Sequence, residues 1–268
     1  MSGGVTVWND QALVAPPSTS QTGPNAAVYS ANGTFITAWA EFDPALNRTV
    51  MKTKIIDFDG RVLREPFVIS STDAGGGGLV SPSVAVLANG QVVVTYSGGT
   101  ATDGRVYRTV IDSSSGNTRF VEQQVNSLVT GSVKNPEIVP ITSGPNAGGY
   151  TLFWEANRDI KGQVYTINGA KSGSEFRVNT PTNTQNSTQI ETDLVVTRLS
   201  DGRSVMAYQY LSQGDDPETG EYTITGLRYR LVNADGTIGA EISIRDDAAI
   251  MGAGAAVLAT GTRTSGHR

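Results

Sequence analysis

Apolar residues in this chain come in short runs closed by Gly, Asn, Asp or Pro, and the spacing of an amphipathic helix is almost absent. The pattern predicts an all-β protein of many strands and turns. Two markers recur along it. An apolar pair followed by Asp or Asn and a turn appears as KIID ending at Asp57, TVID at Asp112, YTIN at Asn168 and RLVN at Asn233. A strand ending in an aromatic appears as TFITAW (Trp39), VVVTY (Tyr96), TLFW (Trp154) and SVMAY (Tyr208). The two markers keep nearly the same step, which predicts an internal repeat of about 50–60 residues.

Each copy reads as four strands. Strand A is PNAAVYS, PSVAVLA, PEIVPIT or TDLVVTR, and a Gly-containing turn follows it. Strand B carries the aromatic, strand C is the KIID type, and strand D is VLREPFVIS, TRFVEQQVN, SEFRVNT or IGAEISI. Runs such as VVVTY and TLFW are apolar on both pleat faces, as expected of a sheet sandwiched between neighbours. Four antiparallel strands at this period match a β-propeller blade. We therefore expect one domain over residues 1–268, a propeller of about five four-stranded blades. The copies fall approximately at 24–72, 82–131, 136–187 and 192–248, with 1–23 and 249–268 forming a composite or incomplete fifth blade. A linear β array or stacked sandwiches are the structural alternatives.

Composition narrows the chemistry. The chain has 268 residues, no cysteine, 31 glycines and a net charge of −5. Disulfides, thiolate metal sites and a cysteine nucleophile are excluded. No basic stripe invites nucleic acid, and no run is long enough to insert in a bilayer. The N-terminus, MSGGVTVWNDQ, lacks a basic start and apolar stretch, so no secretory signal is read there.

The pieces GSEFRVNT (173–180), TNTQ (182–185), RLSDG (198–202), VAVLANGQVVVTY (84–96) and FVEQQVN (120–126) resemble a repeat of very long, type I-secreted (RTX-like, calcium-associated) surface and adhesion proteins of Gram-negative bacteria. The resemblance implies a propeller-like module, extracellular or at the cell surface after signal-less secretion, with calcium as a candidate cofactor. It implies no catalytic residue. The glycine-rich calcium-binding nonapeptide of such proteins is missing here.

The single histidine, His267, stands beside the C-terminus, a poor place for a serine triad. STDAGG (71–76) lacks the closing aromatic of a sialidase box and follows strand D, so it reads as a connector. DFDG (57–60) and NADG (233–236) hold half of a calcium loop and read more simply as turns. Asp103 and Asp159, in loops after strand B, are the candidate metal ligands. Trp39, Tyr96, Trp154 and Tyr208, one per copy and each followed by a polar loop, have the layout of a repeated sugar platform; the same layout serves packing between blades. With Glu41, Glu155 and Asn157 from those loops, they are the candidate ligand-binding residues. The expected function is a non-catalytic adhesion module for a glycan or protein ligand, without catalytic residues. The alternatives are a glycoside hydrolase or lyase using loop carboxylates about 5–10 Å apart, and a structural spacer in a repeat array.

Overall fold

The computed structural model describes residues 21–27, 33–71 except 58, 80–180 except 101, 114, 116, 128, 129 and 158, 190–213, and 222–245. Among these residues sixteen strands form four antiparallel sheets of four, each ordered as in the chain. Blade 1 is β1 (Gln21–Ala27), β2 (Thr34–Asp43), β3 (Arg48–Asp57) and β4 (Val62–Val68). Blade 2 is β5 (Val80–Val86), β6 (Gln91–Gly99), β7 (Gly104–Asp112) and β8 (Thr118–Gln124). Blade 3 is β9 (Val133–Pro140), β10 (Tyr150–Ala156), β11 (Asp159–Tyr165) and β12 (Lys171–Arg177). Blade 4 is β13 (Ile190–Arg198), β14 (Ser204–Gln213), β15 (Tyr222–Val232) and β16 (Ile242–Arg245). The first strands of successive blades pack on one another, β1 on β5, β5 on β9 and β9 on β13, so they lie innermost. The suggested fifth blade lies outside the described residues, apart from 21–23 within β1.

The core is the space between blades. Ile36, Ala38, Met51 and Ile55 of blade 1 close on Val92, Val94, Tyr96 and Ile111 of blade 2. Val93, Val106 and Val110, on the other face of blade 2, close on Tyr150, Leu152, Trp154 and Tyr165. Phe153 and Ile160 then meet Met206, Tyr208 and Val232 of blade 4. Alternation along one strand thus feeds two cores, and every residue of β10 is buried. This accounts for runs apolar on both faces.

The segment after strand D fastens blade to blade. In E-x-x-V-N-T (175–180) and E-x-x-V-N-S (122–127), each of four positions has a separate task. The apolar residue is a plug: Ile69, Val125 and Val178 are buried. The next side chain caps strand C, since Ser70 Oγ, Asn126 Oδ1 and Asn179 Oδ1 accept from the N–H of Met51, Val106 and Ile160 at 2.9, 2.9 and 3.0 Å. The last residue donates to a glutamate of the following blade. Ser71 N–H and Oγ reach Glu122 at 3.0 and 2.9 Å. Ser127 N–H and Oγ reach Glu175 at 3.0 and 2.9 Å. Thr180 N–H reaches Glu241 at 3.2 Å. Tyr96 OH also donates to Glu122 at 2.7 Å, and Tyr208 OH to Glu241, so two clasps tie the buried aromatic to the blade edge.

These clasps differ in depth, and their removal should differ accordingly. Glu175→Ala removes bonds at the surface and should cost about 1 kcal/mol. Glu122→Ala also strips the main partner from the buried Tyr96 hydroxyl and should cost about 2–3 kcal/mol. Urea denaturation with an unchanged m-value measures both.

Candidate active site

The innermost strands share one irregularity. Register breaks between Thr22 and Asn25 in β1, Val80 and Ser83 in β5, and Thr192 and Val195 in β13. In β9 the break falls opposite Phe153 and Glu155 of β10. Ser81, Asn135 and Asp193 take positive φ at these bulges, at 52°, 49° and 54°. Such values are uncommon for residues with a Cβ. Proline follows in three of the four strands, at Pro24, Pro82 and Pro136. Proline has no N–H to leave unpaired where the ladder is interrupted.

One position beyond stand Asn25, Ser83, Glu137 and Val195, in equivalent places of the four blades. Glu137 is the one carboxylate of this set. It lies half-buried where the innermost strands of blades 2 and 3 meet, and its Oε2 accepts from Ser83 Oγ at 2.9 Å. Burial lifts its carboxyl from the ordinary 4.5 to about 7, against the opposing pull of the Ser83 hydrogen bond. A carboxyl that keeps its proton near neutrality can give it to a leaving group. Asp193, half-buried at the next bulge, has no hydrogen-bonding or ionic partner among the described residues.

The rim at the entry to β9 is built tightly. Gly104 N–H donates to Gly131 O and Gly131 N–H to Thr102 O, each at 3.0 Å. A Cβ on Gly104 would meet Gly131 O at 2.6 Å, so glycine is required by this approach of two loops. Asn157, at φ 51°, donates from Nδ2 to Thr130 O at 2.6 Å and from its N–H to Ser132 O at 3.2 Å. The loops after β6 and β10 are thereby sewn to the segment entering β9.

The residues singled out from sequence fall elsewhere. Trp39, Tyr96, Trp154 and Tyr208 are 0–1% exposed, so they present no face to a sugar and are corrected from ligand platform to inter-blade packing. Glu41 is held by Trp39 Nε1 at 2.8 Å and Lys52 Nζ at 3.0 Å. Glu155 is 3% exposed and fully engaged in holding neighbouring strands, and Asn157 is a loop stitch. Asp103 is taken by Arg105 at 2.9 Å. Asp159 accepts from Asn179 at 3.1 Å and lies 3.4 Å from Arg177 and 3.6 Å from Lys161. Among the described residues no group of three His, Cys, Asp or Glu, with or without these two aspartates, could hold a metal ion. Glu137 carries no motif of its own. The signal that could have found it is the recurrent x-Pro at the start of strand A, followed in one copy by an acid.

No protein-family model matches this chain, and no curated protein does. Solved structures do. An α-L-arabinanase of Penicillium chrysogenum, complexed with arabinobiose, superposes with TM-score 0.59 and 17% identity, over 86% of this chain and 69% of that one. A GH93 α-L-arabinofuranosidase of Fusarium graminearum, also with arabinobiose, gives 0.57 and 15%, over 85% and 68%. An endo-arabinase of Bacteroides thetaiotaomicron gives 0.50 and 14%, over 85% and 81%. This chain thus spans about two thirds of the length of the two fungal enzymes. The shared fold is the β-propeller type that the repeat period predicts, with four blades among the described residues. The expectation of a non-catalytic adhesion module is corrected by the same finding: these three structures that share the architecture are glycan-cleaving enzymes.

Trp154 is fully buried, and its Nε1 has no hydrogen-bond partner. Trp154→Ala should therefore cost about 3–5 kcal/mol through the cavity it leaves. Trp154→Phe should be far milder, because no hydrogen bond is lost. Thermal unfolding of the two variants reads the contrast.

Proposed function

We propose that this chain is a glycoside hydrolase in which Glu137 is the general acid. The observation that carries the reading is a single carboxyl on the innermost strand of blade 3, raised by burial to about 7. Likeness to an arabinanase and an arabinofuranosidase supports glycans as substrate class and arabinofuranosyl linkages as the first to try.

The chemistry follows from the proton. Glu137 donates to the glycosidic oxygen as the bond to the anomeric carbon breaks, and the departing sugar leaves as an alcohol. A second carboxylate must stabilise the electron-poor sugar ring, as nucleophile or as base for water. Asp193, on the adjoining innermost strand, is the candidate for that role. Ser83 holds the Glu137 carboxyl in one orientation.

The purified chain should release arabinose or short oligosaccharides from arabinan and arabinobiose. Glu137→Gln should lower kcat by about 10²–10⁴-fold on these substrates. On nitrophenyl arabinofuranosides, whose electron-poor phenolate leaves without a proton, the loss should be much smaller. Equal loss on both kinds of substrate would remove Glu137 from the acid role. The rate should fall tenfold per pH unit above about 7, where Glu137 ionises.

Stability gives a separate readout. Folding raises the Glu137 pKa, so the folded state holds more protons between about 4.5 and 7. Its contribution is complete below 4.5, declines as pH rises through that window and is lost above 7. Glu137→Gln abolishes that decline and should be more stable than the parent at pH 8 by on the order of 1–3 kcal/mol. Urea denaturation at pH 5 and pH 8 measures the difference.

A further inference from the structure

Glu155 is the penultimate residue of β10 and is almost wholly buried, which is an expensive place for a carboxylate unless its oxygens are engaged. Its Oε1 accepts from Asn135 Nδ2 at 2.7 Å and from the Leu194 N–H at 2.9 Å. Its Oε2 lies 3.3 Å from Lys134 Nζ. Both Oε1 donors belong to bulges. Asn135 is the positive-φ residue of β9, two positions before Glu137. Leu194 directly follows Asp193, the positive-φ residue of β13. One oxygen of one carboxylate therefore joins the irregular turns of two neighbouring blades.

Those turns decide where the next side chains go. In β9 the Asn135 side chain donates to Glu155 of its own blade, whereas Glu137 reaches Ser83 of blade 2. A regular strand would place residues 135 and 137 on the same face. Here the bulge intervenes, and past it Glu137 pairs with Phe153 of β10, so the bulge sets the register in which Glu137 stands. An amide donated by Asn135 to a fixed, buried acceptor is a direct hold on that bulge. The Leu194 amide gives the same acceptor a hold on the strand carrying Asp193.

Resting on the hydrolase reading of Glu137, we propose that Glu155 is a positioning residue that pins the bulges of β9 and β13 to each other, and so sets the placement of Glu137 and Asp193. It touches no substrate. Its task is done through Asn135 and the Leu194 amide, and Glu155→Gln keeps an acceptor for these donors where Glu155→Ala does not.

The test uses full-length protein with ¹³C-carboxyl-labelled glutamate. The Glu137 signal is assigned by its loss in Glu137→Gln and followed by titration, beside kcat and KM for arabinan or an arabinofuranoside. In Glu155→Ala the Glu137 midpoint should fall by about one pH unit or more as the loosened bulge admits water. The same variant should lose about 10–100-fold in kcat with little change in KM. Glu155→Gln should recover most of both. Asn135→Gly, which suits the positive φ while deleting the donated amide, should shift the midpoint in the same direction and covers the case in which Glu155→Ala fails to fold. The proposal is overturned if folded Glu155→Ala or Asn135→Gly leaves the Glu137 midpoint and kcat at parental values. A shifted midpoint in a protein that hydrolyses none of these glycans supports the hold on the bulge and sinks the hydrolase reading alone. Normal hydrolysis with an unmoved midpoint does the reverse.

Discussion

A four-stranded sheet that is apolar on both faces cannot stand in water, and this constraint organises the molecule. Each blade must lend one face to the blade before it and the other to the blade after it. Val92, Val94 and Tyr96 serve one core while Val93 between them serves the next. No blade has a core of its own. The large aromatics of the second strands fill the deepest part of each gap, where a buried large side chain contributes roughly 1.5–3 kcal/mol.

Packing of this kind leaves little freedom for chemistry in the middle strands. It relaxes at the innermost strand, where a bulge interrupts the ladder once per blade. The bulge is architectural, since it recurs with Ser81, Asn135 and Asp193 alike. What varies is the side chain beyond it. Serine, glutamate and valine occupy that place in blades 2, 3 and 4, so one scaffold position is specialised in one copy only. A repeat supplies the frame, and a departure from the repeat supplies the acid.

The sequence displayed the frame plainly. Period, strand order and two-faced burial were all legible, because each rests on the identity of large apolar residues in fixed order. The candidate site was not. Trp39, Tyr96, Trp154 and Tyr208 drew notice because they recur, yet recurrence at one register reflects the shared need to fill a gap between sheets. Glu155 stands beside Trp154 in a loop-like EANRD run, but its carboxylate turns inward to β13, and only coordinates reveal that. Glu137 was hidden because its desolvation comes from the packing of blades against each other, and its hydrogen-bond partner Ser83 lies more than fifty residues away. The physical content of the E-x-x-V-N-T run is a plug, a cap and a clasp.

That clasp has a direction. Each glutamate reaches back to the serine or threonine that closes the preceding blade, never forward. The two halves are chemically alike in successive copies. If the second copy were excised, Ser71 would face Glu175 in place of Glu122 and find the same acceptor. The fastening is therefore indifferent to how many units are joined. A whole unit could be gained or lost between such joints without a new kind of contact, because each joint offers the next the same donor and acceptor.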